Sequence, residues 1–349
     1  MKEKLFYKLI VLFVILGLAI VWTINYLVDP FFVYHKPYFG LEPYVYGEMY
    51  QNLGMAKHFE YDTLVTGTSM TEGFVASWFD EKYDCNALKL PFAGGNMKDF
   101  TYLFDVSINN NNDIKRIFYG LDIYSLLVDP DSTRFEYEDY QLTNNPLSHL
   151  SYLLNNQILM KYGLQMVTRT QAGQKFDKDS MYVWESESQY GKEIVLNSYQ
   201  RPDILEKRDE NSVNQQELNY YQNIDNLIYY IENYPNIEFY IFYPSYSILY
   251  WDFMTRIDEI DFELGILKST TERLLSYDNV KLYGFIMNED IITNLDNYKD
   301  YTHYKQDINR YMLESFDTSN DEINIGNYQQ KFEDFEDLIY NYNYDEIFK

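Results

Sequence analysis

The residues best suited to chemistry in this chain are one serine and one histidine that lie far apart in the sequence. Ser69 stands in Leu64-Val65-Thr66-Gly67-Thr68-Ser69-Met70-Thr71-Glu72, an apolar run that breaks at a glycine just before a hydroxyl. A strand that runs into Gly-x-Ser and then a helix start exposes this hydroxyl at the carboxyl edge of a parallel sheet, where α/β folds bind ligands. The Ser69 N–H then lies near a helix amino terminus, which favours negative charge developing on an oxygen. A serine nucleophile needs a base within hydrogen-bond reach and a third group that orients the base. Asp300-Tyr301-Thr302-His303 supplies both from one turn at the start of a helix. The chemistry of such a set is acyl transfer through a serine ester. A second reading makes Ser69 the cap of a helix, with Glu72 completing a capping box, and His303 a structural residue.

Taken together, these motifs resemble the SGNH/GDSL hydrolases, which carry Gly-x-Ser after the first strand and Asp-x-x-His after the last. Gly67-Thr68-Ser69-Met70-Thr71 is similar to the family's first block, with Thr68 where Asp commonly stands. Phe92-Ala93-Gly94-Gly95-Asn96 is similar to the second block, whose glycine gives a backbone N–H to the oxyanion, and the resemblance implies Gly94 for that role. Gly120-Leu121-Asp122 takes the place of the third block, Gly-x-Asn-Asp. An ionised Asp122 cannot give the side-chain N–H of the family's Asn. A protonated Asp122 in a buried site, or Asn96, are the alternative donors. The blocks run from Gly67 to His303. The resemblance therefore implies Ser69, His303 and Asp300 as nucleophile, base and orienting acid, with Ser69 and Gly94 N–H groups at the oxyanion.

The more divergent membrane-anchored members of the family are similar in layout, among them the partner proteins of alginate O-acetylation and teichoic-acid D-alanylation. That likeness implies a serine O-acyltransferase or esterase acting on O-acyl groups, acetyl foremost, of a cell-surface polysaccharide. It also implies a membrane acyltransferase as partner and no cofactor. The rival is a catalytically inactive scaffold that binds glycan, for which the altered third block speaks. Tyr246, in Tyr243-Pro244-Ser245-Tyr246-Ser247, and Trp251 would lie on the same rim, as sugar-stacking aromatics or as core residues.

Positioning these groups requires a sheet. Thr63–Thr66, Cys85–Leu90, Arg116–Tyr119, Phe239–Tyr243 and Val280–Tyr283 are short apolar or aromatic runs without strict alternation, the pattern of strands covered on both faces. Helical stretches separate them; in Leu218–Tyr234 the residues Tyr221, Ile224, Leu227 and Ile231 recur at spacings of three and four. The expected fold is α/β, a three-layer domain with a mostly parallel five-stranded sheet and right-handed crossovers, flavodoxin-like by the family resemblance. It spans 61–316, with a polar insertion at about 129–216 read as a lid or a surface elaboration, and helical potential in Leu147–Met160. The acidic tail 317–349 is read as a packed helix or a disordered end.

Ahead of this domain, Leu9–Leu27 carries no charge over 19 residues, with Thr23 and Asn25 its only strongly polar members. About 20 such residues cross a bilayer core. Lys2, Lys4 and Lys8 precede the run and Asp29 follows, so residues 1–8 are expected in the cytoplasm, 9–28 in the membrane and the remainder outside the cell. The exit Ile24-Asn25-Tyr26-Leu27-Val28-Asp29-Pro30 lacks the small residues of a signal-peptidase site. Residues 29–60 read as a Tyr/Pro-rich stalk. The formal charge of −26 argues against nucleic acid as a partner. One cysteine, Cys85, excludes an intrachain disulfide and reads as a buried small hydrophobe. Four dispersed histidines point to no metal site.

Overall fold

Strands rich in apolar residues on both faces need helices above and below, and the chain supplies them. The computed structural model describes residues 2–110, 113–143, 145–185, 188–205 and 210–349. Among the described residues six strands form one sheet: β1 (Thr63–Gly67), β2 (Ala87–Lys89), β3 (Arg116–Gly120), β4 (Glu238–Tyr243), β5 (Val280–Gly284) and β6 (Glu322–Ile323). Their order is β2-β1-β3-β4-β5-β6. The first five run parallel, with Gly67 beside Gly120 and Gly120 beside Phe242 at their carboxyl ends. The expected five-stranded sheet is thus extended by β6, which pairs antiparallel through Leu282–Ile323 and Tyr283–Glu322. A two-residue strand has too little periodicity to be read from sequence.

Alternate residues of β3 separate the two helical layers, because neighbouring side chains on a strand point to opposite faces. Phe118 meets Phe79 and Tyr83 of the helix Ala76–Tyr83, together with Phe316 beyond the helix Gln306–Ser315. Tyr119 meets Phe100 and Phe104 of the helix Met97–Asn110, and Phe104 meets Tyr230 of Glu210–Asn233. The latter helix buries Tyr220, Ile224, Leu227 and Ile231, while Tyr221 is exposed, so the buried stripe begins one residue earlier than the spacing predicts. The parallel strands follow the order 2-1-3-4-5, which reverses between β1 and β3, and a crevice for ligands opens at the carboxyl ends there.

The C-terminal tail is ordered. The helix Tyr328–Asn341 buries Phe332, Phe335 and Ile339, with Phe335 edge-on to Trp251 at 5.1 Å. Cys85 is half-buried and its Sγ donates to the Phe79 carbonyl.

The chain divides into two compact units. The sheet unit holds Tyr61–Ile108, Asn112–Arg134 and Lys178–Lys349. The other gathers Met1–Glu60, Asn109–Asn111 and Phe135–Asp177. Residues 29–60, expected as a stalk, fold in this second unit. Phe31 and Val33 are buried there with Tyr140, Tyr152, Leu153 and Ile158. Asp29 organises the entry: its carboxylate accepts the N–H groups of Val33, Tyr34 and His35 and the Tyr152 hydroxyl. The insertion is correspondingly split. Phe135–Asp177 fold with the N-terminal residues, whereas the residues up to Arg134 and those from Lys178 belong to the sheet unit. Its order comes from partners distant in sequence, which local composition does not reveal. The helix Lys2–Val28 is long and apolar enough to cross a membrane.

Candidate active site

Ser69 stands two residues past the end of β1 and opens a single 3-10 turn, Ser69–Thr71, where the sequence suggests the start of a helix. Thr68, not Ser69, caps that turn by accepting the Met70 N–H, and Glu72 closes it, so the capping-box reading of Ser69 fails. The strand can pass this closely beside β3 because position 67 is glycine. A Cβ there would lie 2.8 Å from the Gly120 carbonyl oxygen, and its φ of 146° disfavours any other residue.

The Ser69 Oγ lies 2.8 Å from His303 Nε2, and His303 Nδ1 lies 2.8 Å from Asp300 Oδ2. With the ring proton on Nδ1 and held by Asp300, Nε2 is left to accept the serine proton. Asp300 is itself fixed: its Oδ1 accepts the N–H groups of Thr302 and His303 and the Thr302 hydroxyl. Burial would raise its carboxyl. The His303 hydrogen bond, the charge of that ring and the two backbone N–H groups outweigh burial and hold it well below the usual carboxylate range. The Asp-x-x-His segment stands ahead of the helix Gln306–Ser315, in a loop closed by a bridge between Tyr298 and Tyr304. Closing the loop brings both groups to one side without needing a helical turn.

What brings the two distant segments together is a set of hydrogen bonds onto the serine turn. Tyr304 Oη and Asn309 Nδ2 both donate to the Met70 carbonyl, at 2.7 and 3.1 Å, and Gln306 Nε2 donates to that of Gly73. Buried Lys89 on β2 donates to the carbonyls of Glu72 and Phe74 from the other side. On the outer flank Trp184 stands edge-on to His303 with ring centroids 6.0 Å apart, and Lys299 Nζ sits 3.3 Å above the Trp184 ring. Burial lowers the Lys299 amine. None of Thr68, Tyr304, Asn309, Trp184 or Lys299 stands out in the sequence except by nearness to Ser69 or His303.

A cavity of about 360 Å³ opens beside the serine; Thr68, Ser69, Met70, Gly94, Asp122, Thr302 and His303 line it together with Tyr124, Leu127, Gln216, Tyr246, Tyr250, Met254, Ile257, Glu259 and Glu263. Gly94 has φ 63° in a turn closed by the Gly95 N–H on the Phe92 carbonyl. Gly94 lines the cavity, and its left-handed backbone is one that glycine adopts at no steric cost.

Asp122 is fully buried behind Ser69. It accepts the Thr68 hydroxyl at 2.5 Å and the Tyr246 hydroxyl. Burial pushes its carboxyl up to about 6, against the pull of the Thr68 and Tyr246 hydrogen bonds and of His303. Two expectations are corrected. Asn96 gives its Nδ2 to the carbonyl and hydroxyl of Ser132, so it is not the missing oxyanion donor. Trp251 is completely buried between Tyr250 and Phe335 and does not reach the cavity, because its side of the helix Ile248–Arg256 faces the tail. Tyr246 does line the cavity, with its hydroxyl committed to Asp122.

Comparison with protein-family models, with curated proteins and with solved structures finds no match to this chain.

Proposed function

We propose that this chain is a membrane-anchored, extracytoplasmic serine O-acyltransferase or esterase of the SGNH type, acting on O-acyl groups, acetyl foremost, of a cell-surface polysaccharide. The observation that carries the reading is the unbroken relay from Ser69 Oγ through His303 to Asp300, each step 2.8 Å, at the edge of a cavity. Ser69 Oγ attacks the acyl carbonyl as His303 Nε2 takes its proton. The N–H groups of Ser69 and Gly94 stabilise the oxyanion. Collapse of the tetrahedral species returns the proton to the departing alcohol and leaves an ester on Ser69. A sugar hydroxyl or water, deprotonated by the same imidazole, then takes the acyl group and restores the serine.

The cavity supports this substrate class. Its volume lies at the lower end of small-molecule sites, enough for an acyl group and one sugar ring, and Tyr124, Tyr246 and Tyr250 give it aromatic walls. Anchoring would raise the effective concentration of a membrane acyltransferase that delivers the donor.

The full chain in detergent should turn over p-nitrophenyl acetate and take up a fluorophosphonate at Ser69. Ser69→Ala should abolish the labelling and lower turnover by on the order of 10⁴-fold or more. Release without an acceptor sugar favours the esterase, and strict acceptor dependence the transferase. Asp122, an acceptor where a donor is expected, favours the inactive glycan-binding scaffold as the second reading. Equal ester turnover and equal polymer acylation in cells by the Ser69→Ala variant would sink the enzymatic one.

A further inference from the structure

The helix Lys2–Val28 does not end in a free linker. Its last turns are held by the unit that contains it. Asn25 Nδ2 donates to the carbonyls of Leu153 and Asn155, both at 3.0 Å, at the end of the helix Pro146–Leu153. One residue on, the Tyr26 carbonyl is bonded to His35 Nε2 at 2.6 Å, and the His35 ring stacks on Tyr38 at 3.7 Å. These two contacts place both segments at a defined depth. A hydrocarbon core about 30 Å thick takes about 20 helical residues. If Lys8 marks the inner boundary the span ends at Val28, and if Lys4 marks it the span ends at Ile24. In either register Asn25 and Tyr26 lie at the outer boundary. Trp22 stacks on Tyr26 there, in the position of an interfacial aromatic pair.

The segments held at this level expose apolar side chains in a pattern. Leu147, Leu150 and Leu154 repeat at three and four residues, so they share one face of the helix Pro146–Leu153, and Leu147 is 74% exposed. Tyr152 on the opposite face and Leu153 on the flank are buried. In the helical stretch that follows, Met160 (64% exposed) and Leu164 lie four residues apart with Lys161 beside them. Phe39, next to the stacked Tyr38, is 83% exposed. Single exposed leucines need no explanation. A face of them tied to the exit of a membrane span does.

We propose that the helix Pro146–Leu153, the helical stretch 158–171 and the Tyr38–Phe39 turn form a collar seated in the outer lipid headgroup layer. Their apolar faces reach the acyl boundary, and Lys161 is at headgroup level. Amphipathic helices lie in the interface in this way. The collar fixes the unit that bears it against the bilayer rather than letting it swing on a stalk. This inference rests on the membrane span and is independent of the chemistry at Ser69.

The test uses the full chain with Cys85→Ala as background, reconstituted in phosphatidylethanolamine–phosphatidylglycerol vesicles. Nitroxide labels are placed singly at Leu147→Cys, Met160→Cys and Phe39→Cys, with Ile15→Cys as a reference inside the span and Ile325→Cys as an exposed reference. Collision with oxygen and with a water-soluble nickel chelate is then compared. The collar labels should favour oxygen, as at position 15, while position 325 favours the chelate. Collar labels that follow position 325 would overturn the proposal. So would labels shielded from both reagents, which mark burial against protein, a second copy included. An aqueous signal at position 15 sinks the span and the collar with it.

Discussion

Replacing Asp122 by Asn should stabilise this protein at neutral pH and leave it nearly unchanged in acid. The Asp122 carboxyl is raised from 3.8 to about 6. An acid whose pKa is raised on folding binds its proton more tightly in the native state, so the unfolded chain is the one that ionises first. Stability is therefore full below about pH 4, declines as pH rises toward 6, and stays reduced above that. A shift of about two units corresponds to about 3 kcal/mol. Asn mimics the neutral form. Its Oδ1 can accept one of the hydroxyls of Thr68 and Tyr246, and its Nδ2 can donate to the other, since each hydroxyl works both ways. Allowing about 1 kcal/mol for a weaker contact, the gain at pH 7.5 is about 2 kcal/mol, or roughly 4–8 °C in Tm for a domain of this size. Urea and thermal unfolding of the full chain in detergent, followed by tryptophan fluorescence at pH 4.5 and 7.5, read this directly. A variant no more stable than the parent at pH 7.5, or one stabilised equally at both pH values, would mean that burial does not hold the Asp122 carboxyl up.

Three further changes probe the site. Asp300→Asn keeps the acceptor for the Thr302 and His303 N–H groups but turns an amide toward His303 Nδ1. The imidazole proton is driven to Nε2, and ester turnover should fall by about 10⁴-fold with circular dichroism unchanged. Asn309→Ala removes one of two donors to the buried Met70 carbonyl; stability should fall by about 1–2 kcal/mol in urea, and the fluorophosphonate labelling rate at Ser69 should fall in the folded protein. Gly94→Ala places a methyl whose nearest neighbour is Arg134 Nε at 3.5 Å, so the φ of 63° is the main obstacle. It should cost about 1–2 kcal/mol and lower kcat more than it raises KM.

The parallel strands were legible because each is a short buried run between polar turns, and four of the five begin within one residue of where the pattern places them. The second, Ala87–Lys89, is shorter than the run Cys85–Leu90: it pairs with β1 over three residues only, after the half-buried Cys85 and the exposed Asn86. Ser69, His303 and Asp300 were legible for another reason: their residue types and order are rare together. What stayed hidden depends on contacts between distant segments. Tyr304 and Asn309 meet Met70 only once the last helix has packed, and nothing local distinguishes them from other Tyr and Asn residues in so Tyr- and Asn-rich a chain. Its place after the fourth strand made Trp251 look like a rim aromatic, although a partner from the tail, Phe335, covers it. The stalk misled for the opposite reason. Its proline and tyrosine content reads as a connector, whereas Asp29 ties it into a buried cluster.

Asp122 also bears on whether the site is active or a relic. Its carboxyl is held in a buried place with two hydroxyls turned toward it. On the acyl-transfer reading that carboxyl has two states of opposite effect. Below about pH 6 it carries a proton and can act as a donor. Above, it is an anion facing the developing oxyanion. Two like charges about 6 Å apart at an effective dielectric near 20 repel by about 3 kcal/mol, and a missing donor costs about as much again. The measurement is the ratio of Asp122→Asn to parent turnover across pH. It should stand near one at pH 5, rise through pH 6 and level off above pH 7, at least tenfold higher. A ratio flat with pH would mean that the carboxylate does not face the oxyanion, and a ratio below one at high pH would mean that the anion is itself required.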